Sequence, residues 1–437
     1  LKGANRKSAP HDPAFIMQVK TNNAGVTGST SFRITTNTVT TTSAVIDWGD
    51  GGATEAWTTN VDKTHTYSVA GTYTIKITGQ FRIYFSGATD KLKVVSLDNW
   101  GDVVWQNLAN AFTGCTNLLA NFTDKPVLTS CSSLAGLFSG CTAFAPTSMN
   151  GWNLGAVTNA SAAFFQCTNF NATLNSWSCP SVTDMSYLFY GCNKFNKSVN
   201  TWTTPSLVTM ESMFEGCSIF NQPMNDFDVA DVINMLAVFR NCLVFNQPLN
   251  NWNVTKVTTM RSLFDTTSFN QNINNWTTTA LTNMYATFYR IATYNQPLNN
   301  WDVSKVTTFR SCFERNLAFN QEITGWNVSA AITFDYMFYE CTAFNQNIST
   351  WTINSTGGAN VTMVGLFSTG GGGASVFNQP IGSWNMVRVV SVQDMFSSNT
   401  VFNQDLGAWN IINCTNFTGF LSGKTPEIGR ASCRERV

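Results

Sequence analysis

The sequence predicts a β-rich, α+β chain in two parts: short strands with tight turns, then a solenoid of repeats about 25 residues long. Two observations carry this. Tryptophan recurs at Trp152, Trp177, Trp202, Trp252, Trp276, Trp301, Trp326, Trp351, Trp384 and Trp409, with Phe227 in the open place, at steps of 25 residues broken by one of 24 and one of 33. Residues 13–90 carry no such period and instead set short β-forming runs between Gly and Asp turns.

Taken in order, residues 1–12 read as a disordered leader, and with no initiator Met at Leu1 the natural start is expected upstream. Strands are expected at "FRITT", "SAVIDWGDGG", "HTYSVAGTYTIKITG" and "FRIYF" within 13–90. From about 91 to 424 there is room for about thirteen repeats. A second aromatic column lies twelve residues after each Trp (Phe164, Phe189, Phe214, Phe239, Phe264, Phe288, Phe313, Phe338, Phe396), and a third runs from Phe144 through Phe245 and Tyr294 to Phe402. One such unit buries four or five large apolar groups at roughly 1.5 to 3 kcal/mol each, against an ordering cost of about 1 to 2 kcal/mol per residue. A single unit therefore cannot fold alone, and stacking is what makes it stable.

Within a unit, Val257, Met260, Leu263 and Phe264 predict a short helix with Thr255 as N-cap, or an extended "KVTTM" with only "RSLF" helical. "FNQPLN" predicts a very short strand that ends near Pro248, which has no N–H to give. Rungs about 4.8 Å apart would make the repeats roughly 60 Å long. The last residues, "EIGRASCRERV" (427–437), resemble the in-frame translation of a common sequencing adapter and are set aside with Cys433, which moves the net charge from 0 to −1. The natural end is thus also expected elsewhere.

Composition excludes several classes. Lys+Arg and Asp+Glu are 25 each, and charged residues are 11% of the chain where roughly 25% is usual. No basic excess points to nucleic acid or an anionic membrane. No run of 18 apolar residues predicts a membrane span.

"KLKVVSLDNWGDVVWQNLANAFTGCTNL" (91–118), followed by units of the form "MF..C..FNQPLNNWDVSKVTTM", closely resembles the BspA-like leucine-rich repeat surface proteins, also known as the DUF285 repeat family, over about three quarters of the chain. The resemblance implies a leucine-rich-repeat-like solenoid on secreted or surface-anchored bacterial proteins, with adhesion and protein binding as roles. Phe227 for Trp, Ile291 and Asn316 for Cys, and the insertion with "STGGGGAS" depart from the pattern. "WGDG" (48–51) with "HTYSVAGTY" (65–73) resembles a PKD domain, which implies an immunoglobulin-like β-sandwich in which Asp and Gly make a tight turn and Tyr67 and Tyr73 pack the core.

Candidate chemistry is sparse. Cys115, Cys141, Cys167, Cys192, Cys217, Cys242 and Cys341 form a ladder without zinc spacing, expected as buried free thiols, since rung spacing exceeds a disulfide's Cβ separation. Cys131, Cys179, Cys312 and Cys414 lie off it, with one disulfide among them an alternative. His11 and His65 are the only histidines, too few for a nucleophilic or zinc centre. Glu215, Arg240 and Asp265 read as a surface ion ladder worth roughly 0 to 1 kcal/mol per pair, or, with Glu211 and Asp228, as an acidic cleft. The amide columns that include Asn246, Gln247, Asn295 and Gln296 read as an internal hydrogen-bonded ladder or as a neutral glycan-recognition face. Candidate binding residues are thus Glu211, Glu215, Arg240, Asp265, Asn246, Gln247, Asn295 and Gln296.

The expected function is that of a non-enzymatic extracellular adhesion or binding protein without cofactors, a monomeric piece of a larger protein that engages a host-cell, matrix or cell-surface protein or glycan. A phage virion structural or receptor-binding protein and a polysaccharide-active solenoid enzyme are the alternatives.

Overall fold

The computed structural model describes residues 11–36, 42–353, 358–370 and 373–423. The 427–437 segment and all but the last two residues of the expected leader lie outside them. The chain forms two compact units, Leu1–Ser181 and Val182–Val437.

In the first unit, β1 (Phe15–Lys20), β2 (Ser31–Ile34), β3 (Ser43–Asp47), β4 (Glu55–Trp57), β5 (Lys63–Thr66), β6 (Thr72–Gln80), β7 (Val94–Asn99) and β8 (Leu119–Ala120) make a six-stranded sheet in the order β4-β3-β6-β1-β7-β8 and a separate β2-β5 pair. Pairing is antiparallel until β7–β8, which is parallel. β1, "FIMQVK", was missed in the sequence although it alternates as a half-buried strand should, with Phe15, Met17 and Val19 fully buried. "FRIYF" was expected as a strand and is none. Phe81, Ile83 and Phe85 do alternate inward, but the Tyr84 N–H goes to Thr35 O and the Phe85 N–H to Asn110 O, so no ladder forms.

The Asp and Gly turn is present: Asp47 Oδ1 accepts the Gly49 N–H at 2.9 Å, and Gly49 has φ +78°, a region open chiefly to glycine. Tyr67 is buried against Tyr73 at 3.7 Å between ring centroids and donates to Trp48 O at 3.0 Å. His65 stacks on Trp48 and pairs with Asp50 at 2.8 Å, and His11 pairs with Asp102 at 2.7 Å. One buried ion pair fixes this unit. Asp90 accepts from the backbone of Val26, Thr27 and Arg33, while Lys93 donates to the carbonyls of Gly28 and Ser31, so two charges with 0% exposure have near-complete hydrogen bonding.

In the second unit, parallel bridges join equivalent positions: Asp184 to Thr209, then Asn234, Thr259, Asn283, Thr308, Thr333 and Thr362. Among the described residues of this unit the only longer pairing is β9 (Val361–Thr362) with β10 (Val389–Ser391). The expected repeat helix does not form, and among the described residues the sole helix is a 3-10 turn at Lys91–Lys93. The fold is β-rich rather than α+β. Ser262 and Thr266 take φ +53° and +58°, which breaks a helix twice within five residues. The N–H groups of Met260, Ser262, Phe264 and Thr266 donate to Asn283, Tyr285, Thr287 and Tyr289 of the next repeat at 2.8 to 3.1 Å. A helix would close those bonds internally; here every second N–H ties two repeats together.

The expected strand at "FNQPLN" is also absent, because the Asn246 N–H donates to the Asn221 side chain at 2.9 Å instead of to a backbone carbonyl. The aromatic columns stack, with Phe239, Phe264, Phe288 and Phe313 at 6.0, 5.9 and 5.3 Å between successive ring centroids. Phe367, left out of the sequence alignment, carries this column across the long step, 5.8 Å from Phe338 and 5.7 Å from Phe396. The insertion is therefore divided before and after Phe367. The Phe227 departure keeps its buried place, 6.5 Å from Trp202 with rings tilted 47°.

Candidate functional site

The repeat turn sets what each residue can do. Counting from a column Phe, the position two before it and the position two after it lie in the left-handed region: Ser262 and Thr266 around Phe264, Ala286 and Arg290 around Phe288, Ser311 and Arg315 around Phe313. Small residues at the first of these, Ala237, Ser262, Ala286 and Ser311, are buried and form the floor of a groove of about 700 Å³ in the second unit. Its lining comes from the flanking positions: Arg261, Tyr285 and Arg310 three before the Phe, and Arg240, Asp265, Tyr289, Glu314 and Tyr339 one after it, with Arg315 and Tyr336.

The guanidinium of Arg261 lies 4.8 Å over the Tyr285 ring, that of Arg290 4.8 Å over Tyr289, and that of Arg310 6.0 Å over Tyr336. Such contacts hold a cation in place for roughly 0.5 to 2 kcal/mol. Arg261 and Arg310 are exposed and make no ion pair with any described residue. Other charges are engaged. Arg315 Nε donates to Glu340 Oε2 at 3.0 Å. Arg240 sits 3.4 Å from Glu215 Oε1 and 3.2 Å from Asp265 Oδ2.

The Glu215, Arg240 and Asp265 stack is thus present, but it is not the exposed ladder expected. Glu215 and Asp265 are 8% and 6% exposed, and only Arg240 faces solvent. Glu215 accepts from Ser212 Oγ and Asp265 from Thr266 Oγ1, both at 2.7 Å. Burial pushes both carboxyls up, and Glu314 likewise, against the pull of hydrogen bonds and of Arg240 or Arg315. Of the carboxylates of the expected acidic cleft only Asp265 lines the groove. Glu211 accepts from Tyr187, whose hydroxyl this bond pushes up to about 12, and from Asn234 Nδ2 at 3.0 Å, while Asp228 accepts from the Ala230 N–H.

The amide candidates lie elsewhere and form a ladder. Asn221 Oδ1 accepts the Asn246 N–H at 2.9 Å and Gln247 Nε2 at 3.1 Å; Asn246 serves Asn270 and Gln271 in the same way, and Asn270 serves Asn295 and Gln296. None of Asn246, Gln247, Asn295 or Gln296 lines the groove. The ladder cysteines are free and buried; Cys141, Cys167, Cys217 and Cys242 each donate Sγ–H to the Phe carbonyl one repeat back at 2.9 to 3.1 Å. Off the ladder, Cys131, Cys179, Cys312 and Cys414 are free too, and no disulfide links them. Burial pushes the Cys179 thiol up to about 12 and those of Cys115, Cys141, Cys167, Cys217, Cys242 and Cys341 higher, far from thiolate chemistry at neutral pH.

Sequence reasoning missed the Arg and Tyr positions because it followed the columns that stay constant. The signal was in the variable ones: Arg261, Tyr285 and Arg310 occupy one register on three successive repeats.

Among the described residues, no helix is long and apolar enough to cross a membrane and no group of three or more His, Cys, Asp or Glu side chains is gathered as for a metal. No curated protein and no solved structure matches the chain. Residues 106–209, 197–289, 265–367 and 359–425 match the family described as "Mycoplasma protein of unknown function, DUF285". These overlapping matches run over most of the chain, through the aromatic columns, the amide ladder and the groove alike, and on them the chain belongs to the DUF285 family.

Proposed function

We propose that this is an extracellular, non-enzymatic adhesion or binding protein of the BspA-like kind, in which a PKD-like sandwich precedes a leucine-rich-repeat-like solenoid and the solenoid presents the Arg and Tyr groove to a cell-surface or matrix ligand. The parallel one-repeat bridges and stacked columns support the solenoid reading. The two sheets and the Asp-Gly turn support the sandwich. The observation that carries the binding role is the pair of exposed guanidiniums, Arg261 and Arg310, held over tyrosine rings and in no ion pair with any described residue. A charge positioned in this way is ready for a ligand and loses little freedom on meeting it. The nearby carboxylates Glu211, Glu215 and Glu340 are already hydrogen-bonded or paired, which favours binding over acid–base chemistry.

Incubation of the full chain with cell-surface and extracellular-matrix preparations tests this. Saturable capture that falls in the Arg261→Ala/Arg310→Ala double variant is expected. A folded chain that captures nothing, or reproducible release of reducing ends from polysaccharide that Glu211→Gln or Glu215→Gln abolishes, contradicts it.

A further inference from the structure

The groove also points to a ligand class. Arg261 and Arg310 occupy the same register two repeats apart, and each leans over a tyrosine of the repeat that follows, Tyr285 and Tyr336. The two arginines hold the same place in their repeats, three before Phe264 and Phe313, so their backbone positions keep the period of the stack. Backbone rungs about 4.8 Å apart put those positions about 10 Å apart along the groove. That is close to the length of one disaccharide in an extended polysaccharide. Resting on the binding role above, we propose that the groove holds an acidic polysaccharide with one carboxylate per disaccharide, successive carboxylates meeting Arg261 and Arg310.

The lining around the two cations suits sugar. Tyr285, Tyr289 and Tyr339 bring phenol groups and Glu314 a carboxylate to the groove, a mixture that can both give and take hydrogen bonds with hydroxyls. An acidic peptide fits less well. Peptides that add to a sheet need free backbone edges, and here the N–H groups of Ser262, Phe264 and Thr266 are already bonded to the next repeat. Apolar anchors need deep pockets, and this floor is made of the short side chains of Ala237, Ser262, Ala286 and Ser311. The chain's net charge of 0 is no obstacle, since two fixed cations act at contact range and not through a long-range field.

Calorimetric titration of the full chain with a hyaluronan oligosaccharide, uncharged dextran, poly-glutamate and a single-stranded DNA oligonucleotide decides the matter. Hyaluronan is expected to bind and dextran not, with affinity falling as salt rises. Arg261→Ala and Arg310→Ala should each weaken binding about tenfold and the double variant more than either. Arg261→Lys, which keeps the charge but loses the planar fork, should fall between. Lys256→Ala, which removes only a surface pair with Asp231, should bind like the parent. Circular dichroism of every variant guards against misfolding. The proposal is overturned if dextran binds equally, if the double variant retains full affinity, or if poly-glutamate or DNA is preferred. Capture from matrix that persists after digestion of its polysaccharide, with no hyaluronan binding, overturns the ligand class while the binding role stands. Loss of all capture removes both.

Discussion

Trp100 and Phe264 are both fully buried aromatics, and they hold their surroundings in different ways. Trp100, in the first unit, is a hub, meeting Phe15, Trp105, Phe112, Phe122, Phe138 and Trp152 at 5.4 to 6.4 Å, all at steep interplanar angles. Phe264, in the second unit, lies in a file between Phe239 and Phe288 at 6.0 and 5.9 Å, nearly parallel to both. Hydrogen bonding differs in the same sense. The indole N–H groups of Trp100 and Trp105 find no acceptor among the described residues, whereas those of Trp252, Trp276, Trp301 and Trp326 each donate to a carbonyl one repeat back at 2.7 to 3.0 Å. A hub joins elements distant in sequence once; a file solves one packing problem and repeats the solution.

The largest expected effect follows from that contrast. Trp100→Ala and Phe264→Ala should each cost about 3 to 5 kcal/mol, but the losses should spread differently. Hydrogen exchange should show Trp100→Ala opening the whole first unit and Phe264→Ala opening mainly the repeats on either side of it, because repeat stability is a sum of neighbour terms. Equal spread in both would erase the distinction between hub and file.

A smaller effect is expected from the amide ladder. Asn246→Ala removes the acceptor of the Asn270 N–H and of Gln271 Nε2, and leaving such donors unsatisfied costs about 1 to 3 kcal/mol. Asn246→Asp keeps the acceptor and should recover most of it, as read from denaturant midpoints.

The smallest effect is one of pH. Glu215, Asp265 and Glu314 hold their protons more tightly folded than unfolded, chiefly through burial. As pH falls from neutral through their folded values the native state takes up protons first, so stability should rise. Asp302 has the opposite sign: held low by Ser304, it contributes stability that is lost as pH falls further, through its own folded value. Urea unfolding across mildly acidic pH should show the rise, and Glu215→Gln/Asp265→Asn should flatten it.

What could be read in the sequence follows the same division. The three aromatic columns were legible because a buried ring in a file must recur at one depth. The helix was misread because Met260, Leu263 and Phe264 show a spacing that a helix shares with a train of turns, and Leu263 does bond back to Met260 at 3.0 Å. The distinguishing residues, Ser262 and Thr266, take positive φ without being glycine, so nothing in their identity marked them. Phe367 was missed because the insertion falls on both sides of it. The groove was missed for a deeper reason: periodic patterning reveals what stacking demands, and the register of Arg261, Tyr285 and Arg310 changes residue type from repeat to repeat. The Glu215, Arg240 and Asp265 alternation was visible, but its burial was not.

The central claim is that the constant columns build the scaffold while the variable Arg and Tyr register recognises the ligand. It is tested most directly by measuring capture from matrix preparations and urea stability side by side for Asn246→Ala and Arg261→Ala/Arg310→Ala. The account predicts that the first loses stability and keeps its capture, and that the second stays folded, losing no more than about 1 kcal/mol per exposed cation–ring contact, and loses capture. Undiminished capture by the arginine double variant, at parental stability, would contradict it.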